Sequence, residues 1–162
     1  MAASDALAAL PGGGSEIVNM GGARLVKAVR ERKVSAREAM AAHLDQIAAV
    51  NGQVNAIVSM PDREVLMAEA ARADERQARG EPLGPLHGLP HAVKDLQPVK
   101  GLRFTQGSPI FRDRVAPADS LMVERLRKAG VIFVGKTNTP EFGFGSHTFN
   151  PCLLYTSDAA DE

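Results

Sequence analysis

The stretch Asp119-Ser-Leu-Met-Val-Glu-Arg-Leu-Arg-Lys-Ala-Gly-Val-Ile-Phe-Val-Gly-Lys-Thr137 decides the fold. Asp119 or Ser120 can cap a helix, because a short side-chain oxygen accepts a free N–H of the first turn. The helix is expected to run to Ala129, with Gly130 just past its end, where left-handed backbone favours glycine. Val131-Ile-Phe-Val134 is then a continuous apolar run, the pattern of a strand buried on both faces. Upstream, His91-Ala-Val93 reads as a short strand leading into Lys94-Asp95. Strand, crossover helix and buried strand make a βαβ unit, which predicts a parallel pair with a right-handed crossover. Sheets of this kind carry ligands at the carboxyl ends of their strands. Lys94 and Lys136 both fall there.

The same stretch contains a competing pattern. Gly130-Val-Ile-Phe-Val-Gly135-Lys136-Thr137 matches the phosphate-loop form G-x-x-x-x-G-K-[ST]. A phosphate loop needs a strand before its first glycine, a tight loop in the middle and a helix from the lysine onward. Here a helical segment precedes Gly130 and the four middle residues are large and apolar. Pro140 also disfavours helix at the residue before it. The nucleotide-binding reading is therefore rejected.

Working outward, residues 81–90 crowd Pro82, Gly84, Pro85, Gly88 and Pro90 together, so the backbone there is turned and largely non-helical. Before it, three helices are expected to serve as packing elements. The first covers about Ala23 to Arg32. The second starts at Ser35, where Ser35-Ala-Arg-Glu38 is a capping box, and ends at Asn51-Gly52. Val54 to Ser59 reads as a strand. Pro61 fits the first turn of a third helix running to about Arg79, with Gly80 past its end. Residues 1–20 are expected to be a loose leader, Ala/Gly-rich through Gly12-Gly-Gly14.

The bulk numbers narrow the function classes. Lys plus Arg and Asp plus Glu each total 19, which gives no electrostatic footprint for nucleic acid or an anionic membrane. The N-terminus lacks a basic segment and is a poor secretory signal. No apolar run is long enough to span a bilayer. One cysteine forms no internal disulfide, and no Cys/His cluster has metal-ligand spacing, so neither metal nor other cofactor is expected. A cytoplasmic setting is the default expectation. His87, His91 and His147 are read as loop or packing residues, since no G-x-S-x-G turn accompanies them.

Gly84-Pro-Leu-His-Gly-Leu-Pro-His-Ala-Val-Lys-Asp95 resembles the segment that delivers the catalytic lysine in amidase-signature enzymes. The likeness continues through Gly101-Leu, Thr105, Gly107-Ser108 and Ala118-Asp119. It runs on through Val123 to Phe142 and ends at Asn150-Pro151. It covers roughly residues 20–151, and its 84–142 part is specific, because several unusual pieces occur in the right order. The resemblance implies an α/β fold: the N-terminal part of the family's α/β/α sandwich, a mixed sheet flanked by helices, over residues 21–151. It also implies amide hydrolysis or transfer by a serine nucleophile, a second serine with a cis peptide bond, and a lysine that maps onto Lys94.

The physical case for such a lysine is short. A serine hydroxyl is a weak nucleophile until something takes its proton. A free lysine, with a pKa of about 10.4, is charged at neutral pH and cannot take it. Burial disfavours the charged form, and the apolar approach His91-Ala-Val93 is expected to bring Lys94 to a place where burial can act. Asp95 is expected to order the loop, and Lys136, Thr137 and Asn138 to be structural or near the site.

In the resembled family both serines and the oxyanion-binding amides lie in a Gly/Ser-rich stretch beyond the Thr-Asn-x-Pro-Glu segment, and this sequence stops short of it. Residues 152–162, which hold the chain's one cysteine and one tyrosine, read as a non-native tail. The expectation is a fragment that keeps the lysine without the serines and is inactive as written, with a small-molecule amide as the substrate of the complete parent. Two other readings stay open: a glutamyl-tRNA amidotransferase A-type subunit, and a non-catalytic interaction domain.

Overall fold

The computed structural model describes residues 15–145 and 147–153. Most of the expected leader (1–14) and most of the expected tail (154–162) lie outside the described residues.

Helix α1 spans Gly22–Arg30 and α2 spans Ala36–Val54. Ser35 caps α2 as the sequence predicts. Its hydroxyl accepts from the Glu38 N–H at 3.1 Å, and Glu38 Oε2 accepts from the Ser35 N–H at 2.8 Å. The backbone hydrogen bond from Ser35 holds the Glu38 carboxyl below its ordinary pKa. Asp74, from the next helix, accepts from the N–H groups of Ala36 and Arg37, so α2 begins with its free donors satisfied. Ser35→Ala is expected to lower stability by about 1 kcal/mol. The check is the denaturant midpoint of the full-length protein, with Ser35→Thr as the variant that retains the cap.

Helix α2 runs past Asn51-Gly52, where the sequence pattern predicts its end. Asn51 is used elsewhere: its side-chain amide donates to Ile57 O and accepts from Ile57 N–H, both at 2.8 Å. The helix closes instead at Asn55, in left-handed backbone with φ 44°. Strand β1 is consequently short, Ile57–Ser59. Helix α3 spans Arg63–Ala78. Asp62 occupies its N-cap position, so Pro61 stands before the helix and not in its first turn. Gln77 in α3 donates to Val29 O and Arg30 O at the end of α1, docking one helix to the other.

Strand β2 is Pro90–Lys94, α4 is Leu121–Lys128 and β3 is Ile132–Thr137. Ser120 caps α4 through Val123 N–H, while Asp119 accepts from Lys100 N–H and Arg127. Partial burial pushes the Asp119 carboxyl up, but the hydrogen bonds from Arg127 and Lys100 hold it below its usual value. Gly130 follows α4 with φ 97°, and a Cβ there would lie 2.7 Å from His87 Cα, so both conformation and space require glycine. The apparent phosphate-loop pattern is thus a helix end followed by a buried strand.

The sheet has the order β1-β3-β2, with β2 parallel and β1 antiparallel to β3. This is the mixed sheet expected. Its two faces carry separate cores. Ile132 and Val134 pack with Met40, Leu44, Leu66 and Ala70 from α2 and α3. Phe133 and Val131 pack with Val93, Val99 and Val123, the last from α4. One irregularity decides which face Lys136 takes. His91 pairs with Phe133 but Ala92 pairs with Gly135, so β3 carries an extra residue at Val134. Beyond that bulge Lys136 pairs with Val93 and shares its face. Among the described residues, no helix is long and apolar enough to cross a membrane.

Candidate active site

The carboxyl ends of β2 and β3 gather Lys94, Asp95, Lys136, Thr137 and Asn138, as the βαβ reading requires. Lys94 is the last residue of β2 and is exposed. The described residues do not themselves supply the burial expected of it. Val93 points into the core, so strand alternation turns Lys94 away from it, and β2 is an edge of the sheet with nothing among the described residues to cover it. Within those residues the Lys94 ammonium makes no ion pair, and Asp95 does not pair with its neighbour.

Asp95 pairs with Lys136 instead. Lys136 is fully buried, and its Nζ donates to Asp95 Oδ1 at 2.8 Å and to Gln97 O at 2.7 Å. The other carboxylate oxygen of Asp95 accepts from both Thr105 N–H (3.0 Å) and Thr105 Oγ1–H (2.6 Å). Thr105 Oγ1 in turn accepts from Gly107 N–H. The Phe104 ring lies 5.0 Å from the lysine nitrogen and closes the cluster on one side. Burial pushes the Lys136 ammonium below its ordinary pKa, and the Asp95 carboxylate opposes that shift. With no exposed surface and its donors directed at fixed oxygens, Lys136 is built as a structural cation. The loop-ordering part expected of Asp95 is what the geometry contains.

A second set of contacts fixes the surrounding loops. Asn150 donates to Asn138 Oδ1 and Thr139 O at 2.8 Å and accepts from Cys152 N–H. That ties the segment near Asn150-Pro151 to the end of β3. Phe142 N–H donates to Gln106 O, and both residues stand in left-handed backbone, φ 51° and 55°. Gly107, at φ 69°, brings its α-carbon so close to Thr139 O that a Cβ would lie 2.9 Å from it.

The histidines are placed as packing residues. His87 is buried and donates to Ala73 O at 3.0 Å. His91 meets Phe133 edge to face at 5.9 Å, and burial lowers its pKa. His147 stacks on Phe149. Thr105, Phe104 and Gln97 have no local signature that marks them as site-forming. The one available signal is Lys136 itself, since a lysine ending a strand buried on both faces needs a partner.

Comparisons with known proteins place the chain as a whole. The chain is 44% identical over 134 residues to the A subunit of glutamyl-tRNA(Gln) amidotransferase from Salinispora tropica, covering 83% of this chain and 27% of that one. It is 44% identical over 124 residues to the indoleacetamide hydrolase of Bradyrhizobium diazoefficiens, covering 76% of this chain and 24% of the relative. The chain thus spans about a quarter of the length of these relatives. Among solved structures, a crystal structure of an amidase superposes with a TM-score of 0.73 at 32% identity, over 82% of this chain and 30% of that one. The family model described as Amidase matches residues 38–162, from the first turn of α2 onward. With sequence, family model and fold in agreement, this chain belongs to the amidase family.

Proposed function

We propose that the full-length protein hydrolyses amide C–N bonds, with Lys94 as the base end of a Ser–cis-Ser–Lys system. The observation that carries this reading is the position of Lys94. It ends β2 on a rigid turn, it is the residue onto which the family's lysine maps, and no ion pair among the described residues consumes its ammonium. Base chemistry needs a neutral amine, and that needs apolar surface closed over Lys94. The open edge of β2 is where such a cover would dock, and the serines and oxyanion donors belong to the Gly/Ser-rich stretch of the full-length protein. The relatives named for amide hydrolysis support the reaction class.

The test is turnover of a panel of primary amides, indole-3-acetamide, anilides and glutamine, read as ammonia or amine release. The full-length protein is expected to turn over at least one of them, and the purified 162-residue chain none. Turnover by the shorter chain, or a full-length protein inert on the whole panel, would overturn the proposal. A second reading rests on the Salinispora relative: an amidotransferase A-type subunit. It predicts that glutamine is the one substrate in the panel and that its turnover rises with partner subunits and charged tRNA.

A further inference from the structure

The cluster of Asp95, Lys136 and Thr105 has no packing purpose that apolar side chains could not serve. Burying a carboxylate and an ammonium is offset by their attraction only when further hydrogen bonds satisfy both, and apolar replacement is often neutral or stabilising. Here each charge has its opposite and further hydrogen bonds, and these converge on one short turn. Asp95 N–H donates to Thr137 O at 3.0 Å. Gln97 N–H donates to Lys94 O at 3.0 Å. Lys136 holds Asp95 Oδ1 and Gln97 O together from β3, and Thr105 grips the opposite carboxylate oxygen from the following loop. The backbone on the C-terminal side of Lys94 is therefore fixed from three directions, while the Lys94 side chain is exposed and, among the described residues, unpaired. The β3 bulge belongs to the same device, because it turns Lys136 onto the face where Asp95 lies.

We infer that Asp95, Lys136 and Thr105 are positioning residues: a buried, charge-neutral anchor that sets where the Lys94 ammonium stands when the substrate is attacked. This rests on the reading of Lys94 as the base. A base displaced by about 1 Å loses up to about 100-fold in rate without any loss of substrate binding. The anchor should accordingly show in kcat and not in KM.

The experiment uses the full-length protein and the best substrate of the amide panel. Thr105→Val keeps shape and removes the hydroxyl, while Thr105→Ser keeps the hydroxyl; Lys136→Met removes the cation at similar volume. Thr105→Val and Lys136→Met are expected to lower kcat at least about 10-fold with KM within about 3-fold, and Thr105→Ser to stay within about 3-fold of the parent in both. If Lys136→Met does not fold, the threonine pair decides alone. Unchanged kcat in Thr105→Val, a change confined to KM, or equal losses in Thr105→Ser and Thr105→Val would overturn the inference. Lys94→Ala, measured alongside, separates the two levels. Turnover surviving in Lys94→Ala removes the base reading and the anchor with it. Turnover lost in Lys94→Ala but kept in Thr105→Val removes the anchor alone.

Discussion

Replacing Lys94 by alanine should lower amide turnover of the full-length protein about 1,000-fold or more, while leaving the melting temperature of the 162-residue chain within about 2 °C of its parent. The two halves of this expectation come from different observations. A positioned acid–base group contributes typically about 10²- to 10⁴-fold, so its loss is among the largest that a single side chain can produce. The stability half follows from exposure: Lys94 buries nothing, joins no ion pair among the described residues, and leaves the core at Val93. Surface substitutions of that kind usually change stability by less than about 0.5 kcal/mol. Full activity in the variant would remove Lys94 from the site. In the full-length variant a drop in melting temperature would report the surface that closes over Lys94, and the rate loss is then corrected for the folded fraction.

The second large effect falls on the neighbouring residue and has the opposite character. Asp95→Ala is expected to destabilise the full-length protein by about 3–5 kcal/mol, because it strands the Lys136 ammonium in a site with no exposed surface. The same change leaves Thr105 without the acceptor for its N–H and O–H. A lysine that must be buried without a partner gives up its proton, and here burial already pushes Lys136 in that direction. The double variant Asp95→Ala/Lys136→Met should recover at least half of the loss, since removing both charges leaves no uncompensated ion. Denaturant unfolding of the three proteins checks this. Equal stability of Asp95→Ala and the double variant would mean that the lysine finds another partner and that the pair is not the source of the effect.

Much of the frame is legible because its signals are local. The serine caps at Ser35 and Ser120, the glycine at Gly130 and the apolar run at Val131–Val134 each state their role within a few residues, and the parallel pairing of β2 with β3 follows from their order. What is not legible turns on partners that the local pattern does not show. Asn51-Gly52 carries a helix-stop pattern, yet Asn51 is engaged by Ile57 and the helix continues to Asn55. Lys94 and Asp95 are adjacent and oppositely charged, yet the aspartate pairs with a lysine 41 residues away. No window of sequence contains that pairing, because it depends on a one-residue irregularity in strand register. The placement of Lys94 at a strand end is readable; its exposure is not, since that depends on which face the strand presents and on what lies beyond its open edge.

The bulge at Val134 also bears on how length variation in this region can be tolerated. A β-strand has a phase of two, and one extra residue inverts it for everything downstream. An in-frame loss of a single codon within Val131–Val134 would keep the apolar run, the glycine and the lysine, and a composition-based comparison would score it as conservative. Yet it would carry Lys136 to the side of the sheet packed by α2 and α3, away from Asp95. The length of this strand thus decides the pairing of Lys136 as much as the identity of its side chains does.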